Sequence, residues 1–458
     1  MKSKEHDLMT DSNIISNEEN TVYVYAIALV AALGGLLFGF DTGVISGAIS
    51  FVTNEFSLNA HQEGFAVSNL LIGCIIGAVT AGFLSDKFGR KKMLIVSAVF
   101  FLTSALLSAF PRTFVQLVIA RFIGGYGVGM ASMLSPLYIA EISPARIRGR
   151  LVSLNQFTIV GGILLSYLAN WLLVDIGPNN WRWMFASEAL PAVLFLVALF
   201  AVPESPRWLV KSGRLDNALK ILTKIGGKKH AEAEIDDIKS TIDKEKGSIF
   251  EIFKPGLRLV LLVGVLLAIF QQITGINTVI YYAPKIFMRA GYESASSALL
   301  AQVIVGFTNF VFTIIAIVTI DRFGRKPLLL IGLAGMGISF ALAGFAFHSA
   351  TIGATFILIP IILYVAFFAM SLGPVVWVLL SEIFPTKIRG RAMSIATMSL
   401  WVSCFLVSQS FPWLVEMFEQ KTFYLYACIC IIAFVFVFFM VTETKGKTLE
   451  EIEKMWEH

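Results

Sequence analysis

Long apolar runs separated by short charged breaks dominate the chain. They lack the alternation of apolar and polar positions that marks a half-buried strand. Twelve runs stand out. Spans 1–6 lie near 22–51, 62–84, 92–110, 114–140, 151–174 and 183–203; spans 7–12 lie near 257–288, 296–320, 327–347, 353–381, 391–414 and 422–442. A helix of about 20 apolar residues crosses a bilayer, so each run predicts a transmembrane helix. The longer ones predict tilt or extension among the headgroups. Glycine and proline within them are tolerable, because neighbouring helices re-satisfy the backbone groups they free.

A polar segment, 204–256, separates spans 6 and 7. Its residues 204–254 carry 11 basic and 9 acidic side chains. Leu209, Ala218, Leu219, Leu222, Ile235, Ile238 and Ile242 recur at near-helical intervals, which predicts short amphipathic helices on the membrane surface.

Composition sharpens this reading. The chain of 458 residues is 57% hydrophobic and 15% charged, against roughly 25% charged in ordinary soluble domains. Segments 1–20, 204–254 and 443–458 hold 35 of the 67 charges, leaving 32 for the other 371 positions. A cytosolic enzyme, a disordered chain and an outer-membrane barrel are all excluded, the last because the runs do not alternate. The formal net charge of +5 resides in loops at helix ends, so no nucleic-acid partner is expected. Cys74, Cys404, Cys428 and Cys430 lie inside apolar runs, which predicts neither a disulfide framework nor a metal site, and no cofactor is expected. No cleavable leader is expected either, since residues 1–20 are polar and the first apolar run is too long.

Lysine and arginine set the orientation. Lys87, Arg90, Lys91 and Lys92 follow span 2; Arg146, Arg148 and Arg150 follow span 4. Arg322, Arg325 and Lys326 follow span 8, and Lys387, Arg389 and Arg391 follow span 10. The intervening loops are poor in base. Both termini are therefore expected in the cytoplasm, as a tail over 1–21 and another over 443–458.

Two segments recur. Glu141-Ile-Ser-Pro-Ala-Arg-Ile-Arg-Gly-Arg150 returns as Glu382-Ile-Phe-Pro-Thr-Lys-Ile-Arg-Gly-Arg391, and Asp86-Lys-Phe-Gly-Arg-Lys91 as Asp321-Arg-Phe-Gly-Arg-Lys326. The offsets, 241 and 235, are nearly equal. The expected fold is therefore an all-α integral membrane protein of twelve transmembrane helices. They form two parallel, pseudo-symmetric six-helix bundles, 22–203 and 257–442, with cytoplasmic amphipathic helices between them. Parallel halves of this kind indicate a secondary transporter with its site between them. The repeated acids and bases, Asp86 with Arg90, Asp321 with Arg325, Glu141 with Arg148 and Glu382 with Arg389, are expected to pair at the cytoplasmic rim as a gate. Their plainer role would be turns and topology signals.

These residues resemble the sugar porter family of the major facilitator superfamily, bacterial xylose–proton symporters most of all. The likeness rests on Gly35-Leu-Leu-Phe-Gly-Phe-Asp-Thr-Gly-Val-Ile-Ser-Gly47, Arg121-Phe-Ile-Gly-Gly, Pro203-Glu-Ser-Pro-Arg-Trp-Leu209, Gln271-Gln-Ile-Thr-Gly-Ile-Asn277 and Gly373-Pro-Val-Val-Trp377, and runs from about residue 22 to 449. It implies a monosaccharide or polyol as substrate, alternating access as the mechanism, and Glu204 and Arg207 as further gate residues. A monomer in the inner membrane is expected.

Asp41 and Arg121 are an acid and a base within apolar spans, at about 2.5–3.5 kcal/mol each on insertion scales, which marks them as functional candidates. At 1.5 Å per residue both fall about 10–15 Å below the outer end, so they are expected to face each other. Protonating Asp41 would then release Arg121; a static ion pair is the alternative. Resemblance adds Glu188 as a coupling acid. Sugar hydroxyls both donate and accept, as amides do. Gln156, Gln271, Gln272, Asn277 and Asn309 are the candidates, with Trp377 packing on the sugar face. Buried amides that merely tie helices together are the competing possibility. Gly275 permits unwinding that would turn Gln272 and Asn277 toward one ligand. Tyr281 and Tyr282 either close the outer side or form an interfacial belt. Ile163 and Leu400 are apolar where the resemblance would place amides. The expected function is import of a pentose or hexose with a proton. A uniporter, a polyol carrier, a membrane sugar sensor and a membrane enzyme are the alternatives.

Overall fold

Residues 20–144, 146–242, 257–348, 355–384, 389–447 and 451–452 are described by a computed structural model. All regular structure among them is helical. Twelve helices are long and apolar enough to span a membrane: Thr21–Glu55, Ala60–Phe88, Arg90–Ala109, Phe114–Ile142, Arg148–Leu173, Asn180–Ala201, Leu257–Arg289, Ala295–Ile320, Arg325–Phe347, Phe356–Ile383, Gly390–Phe418 and Lys421–Met440. Local chemistry sets several ends. Asn59 and Gln62 form a reciprocal capping box at the start of span 2, and Ser294 and Ser297 do so at span 8. The Thr113 hydroxyl accepts from the Gln116 N–H to open span 4.

The two halves pack alike. Span 1 lies on span 5, 2 on 4 and 3 on 6; correspondingly, 7 lies on 11, 8 on 10 and 9 on 12. Span 2 meets span 11 across the middle and span 5 meets span 8, as a two-fold relation requires. Between the halves run the short helix Pro206–Lys211 and the segment Leu215–Ile242, which is kinked at Gly226 and Gly227.

The glycine-rich stretch of span 1 has a packing cause. Gly35, Gly39, Gly43 and Gly47 recur every fourth residue and face Asn155, Ile159, Ser166 and Asn170 of span 5 so closely that a Cβ would collide. Thr158 Oγ1 donates to the Ala32 carbonyl at 2.7 Å across the same seam. This seam holds the helix that carries Asp41.

Three spans are interrupted. Span 6 breaks at Glu188, three residues before Pro191, which has no N–H to continue the ladder. Span 7 breaks at Thr274-Gly275, with Gly275 at φ 102°. Span 10 breaks at Ser371.

Candidate functional site

Asp41 and Arg121 meet, as their matching depth allows. Arg121 Nη1 donates to Asp41 Oδ1 and, at 3.4 Å, to the Asp41 carbonyl. Both residues are buried, at 0% and 1% exposure. Gly124 makes room, since a Cβ there would lie 2.8 Å from Asp41 Oδ2. Glu188 is also buried, at the break in span 6, and interacts electrostatically with both. Phe185 places its ring 5.7 Å from the Arg121 guanidinium carbon. Asp41 Oδ2, Arg121 Nε and Glu188 Oε1 have no hydrogen-bond partner, which concentrates unsatisfied polar atoms around one cation. Such groups are costly in a static core and suit a centre where partners exchange.

The amides of span 7 form a polarised string. Gln271 Nε2 donates to the carbonyls of Leu372 and Gly373 at 2.8 and 3.0 Å, at the start of the helix that follows the break in span 10. Tyr364 of span 10 acts reciprocally, donating to the Thr274 carbonyl at the break in span 7, at 3.0 Å. Gln272 Nε2 reaches Gln271 Oε1 at 3.5 Å, and Asn277 Nδ2 donates to Gln272 Oε1. The turn at Gly275 thus brings Gln272 and Asn277 together. It requires glycine twice over: φ is positive, and a Cβ would lie 2.9 Å from the Tyr426 ring.

Asn309 is buried, while Gln156 and Trp377 are half-buried. Ile163 and Leu400 are buried apolar residues. Tyr281 and Tyr282 are both buried rather than facing lipid, and Tyr282 donates to the Ser408 carbonyl at 2.9 Å. Trp401 is a residue that sequence reasoning misses. It lies 5.7 Å from Phe38 across the two halves, with its buried indole N–H unpartnered. A tryptophan in an apolar run carries no signal of its own. No cluster of three or more metal-ligating side chains occurs among the described residues.

The repeated loops share one face of the molecule, but their pairing differs from expectation. Glu141 does not take Arg148; it takes Arg90, whose Nε and Nη2 donate to it at 3.0 and 3.1 Å, and Ser205, whose hydroxyl donates at 2.5 Å. Arg148 Nε donates instead to the Ser143 carbonyl at 3.4 Å. The Glu141 carboxylate ends span 4 beside the start of span 3, so the base nearest in space is not the one nearest in sequence. Arg90 also bonds Asp86 at 2.8 Å. Glu382 likewise pairs with Arg325 at 2.8 Å and accepts from Thr444 at 2.6 Å. The Asp321 and Arg389 side chains lie outside the described residues. Arg207 is the second residue of the helix Pro206–Lys211. The contacts named here join residues of one half to each other or to the segment that directly follows that half.

A third repeat emerges here. Glu204 accepts from the Lys91 N–H at 3.0 Å; Glu443, 239 positions later, accepts from the Arg325 and Lys326 N–H groups, both at 3.0 Å. Each carboxylate caps the helix after the tight turn, close to Gly89 or Gly324, both at positive φ. Burial would raise the Glu443 pKa, yet the N–H groups of Lys445, Arg325, Lys326 and Thr444 outweigh it and hold the group below its ordinary value. The cap therefore stays charged at neutral pH.

Polar contacts between the halves gather on the opposite face. Lys285 of span 7 binds both carboxylate oxygens of Glu63 of span 2 at 2.6 and 2.7 Å, with the Glu63 side chain 3% exposed. Ser68 donates to Gln409 at 2.7 Å, Gln302 to Ser46 at 2.7 Å, and Tyr167 to the Ile280 carbonyl at 2.9 Å. None is legible in the sequence, because partners from separate halves leave no mark in its spacing.

The model of the sugar (and other) transporter family matches residues 27–456. The chain is 45% identical to a D-xylose-proton symporter of Escherichia coli strain K12, over 97% of this chain and 98% of that one. It is 42% identical to an arabinose-proton symporter of Bacillus subtilis strain 168, over 96% and 97% respectively. A solved structure of the xylose transporter XylE from E. coli, in an inward open conformation, aligns at a TM-score of 0.84 and 43% identity, covering 95% of this chain and all of that one.

Proposed function

From the premise that this chain belongs to the sugar (and other) transporter family, we propose that it imports a monosaccharide together with a proton by alternating access. The observation that carries the reading is the fully buried Asp41–Arg121 pair with Glu188 beside it. Breaking a buried pair by removing one charge costs about 3–5 kcal/mol, unless another group takes over the partner. When a proton neutralises Asp41, Arg121 turns to Glu188. That exchange gives the protonated carrier a different preferred arrangement of the halves. The sugar, named xylose or arabinose for the relatives, is held here by amides of spans 5, 7 and 8 with Trp377 against its face. Tyr281 closes over it. Ile163 and Leu400 supply apolar wall in place of two amides.

The basic-loop face is cytoplasmic, with both termini inside, in the inner membrane of a cell; residues 22–203 and 257–442 are the moving bodies, and the chain works as a monomer. The segment 204–256 and the tails 1–21 and 443–458 are cytoplasmic. Asp86, Arg90, Glu141, Arg148, Glu204 and Arg207, with Asp321, Arg325, Glu382 and Arg389, form the cytoplasmic gate. In this conformation the outer side is bolted. Uptake of a labelled sugar panel into proteoliposomes under an imposed pH gradient tests the reading: gradient-driven accumulation supports it, and its absence for every sugar overturns it.

Lys285 and Glu63 act as the outer bolt. Lys285→Met leaves a buried carboxylate unpaired, so it is expected to shift the equilibrium toward the outward-open state by at least tenfold. Labelling of a single outer-cleft cysteine by an impermeant maleimide reads that shift. The double swap of Glu63→Lys with Lys285→Glu should restore wild-type labelling; a double variant as open as Lys285→Met would remove the bolt.

A further inference from the structure

We infer that Cys404 of span 11 is a positioning residue for the sugar site, setting which face of the Asn277 amide meets the ligand; this rests on the carrier reading above. Asn277 Nδ2 has two hydrogens. One goes to Gln272 Oε1 and the other to Cys404 Sγ, at 3.0 Å. The Gln272 oxygen fixes which way the amide points, since a flipped amide would set its oxygen against it, and the sulfur holds the second hydrogen in place. Cys404 is 2% exposed, and the Tyr281 hydroxyl approaches the same sulfur. It thus touches two residues of span 7 beyond the break at Gly275.

The string Gln271–Gln272–Asn277 is anchored at one end by the Leu372 and Gly373 carbonyls and at the other by this thiol. Every amide in it donates toward the preceding member, so the group left at the ligand end is Asn277 Oδ1, an acceptor. A sugar hydroxyl opposite it must donate. Without the sulfur, the Asn277 amide keeps one hydrogen bond, to Gln272 Oε1, and the ligand end of the string is less tightly held. The break at Gly275 makes this end the less constrained one, because the amide sits in the first turn of a new helix.

Sugar affinity of the purified full chain, measured by titration calorimetry with the best sugar of the uptake panel, tests this for Cys404→Ala, Cys404→Ser, Asn277→Ala and the Cys404→Ala/Asn277→Ala double variant. Cys404→Ala is expected to weaken binding about three- to tenfold, the range for one missing hydrogen bond. Cys404→Ser, whose hydroxyl still accepts, should recover most of it. In the Asn277→Ala background, Cys404→Ala should cost nothing further, because its effect passes through that amide. Additive effects, or a serine variant as weak as the alanine one while both melt at the wild-type temperature, would overturn the assignment and leave the carrier reading intact. A wild-type chain that binds no monosaccharide overturns both.

Discussion

Asp41→Asn is expected to abolish uphill sugar accumulation while leaving exchange of sugar across the membrane intact. The substitution removes the carboxylate hydrogen-bonded to Arg121 in the buried centre, and keeps its shape. Arg121 then keeps Glu188 as an acidic neighbour, and the exchange of partners that a proton on Asp41 drives is lost. One proton moving across 100 mV supplies about 2.3 kcal/mol, which at 1.36 kcal/mol per decade sustains roughly a 50-fold gradient. The ratio of internal to external sugar should fall from that order to unity. Labelled sugar in energised proteoliposomes reads the ratio, and counterflow in the same vesicles reads exchange. An asparagine variant that still concentrates sugar would remove Asp41 as the proton carrier.

Gln272→Ala carries the second large effect. Gln272 Oε1 holds Asn277, and Nε2 reaches Gln271, so the substitution removes a ligand amide and also unties the string from its anchor on span 10. Leaving a buried polar group unpaired costs about 1–3 kcal/mol. Because the sugar on the proposed site also forfeits a direct hydrogen bond, affinity for every accepted sugar should drop about 10- to 100-fold, at 1.4 kcal/mol per decade. Equilibrium binding to the purified protein measures this. Unchanged affinity would move the site away from span 7.

The sequence is most informative where a polar side chain interrupts the middle of an apolar run. Asp41 and Arg121 stand out as charges in lipid-length segments, and simple rise per residue puts them at matching depth. Gln271, Gln272 and Asn277 stand out for the same reason, and Gly275 marks the break between them. The twelve helices and the two-fold relation are legible from run length and from the repeated loops. What escapes is choice of partner. Glu141 takes Arg90 rather than Arg148 because helix ends from different parts of the chain converge there. Glu204 and Glu443 share a capping role but little surrounding sequence, so chiefly the nearly equal offset links them. Lys285 with Glu63, and Cys404 with Asn277, join helices far apart in the chain, and no local pattern records them.

Proton movement accompanying sugar entry tests the account most directly. Purified protein in vesicles holding a pH-sensitive dye, with the external sugar added at equal pH on both sides, should acidify the lumen in step with labelled sugar uptake and only when sugar is present. Sugar entering at the same rate with a steady internal pH would contradict proton coupling.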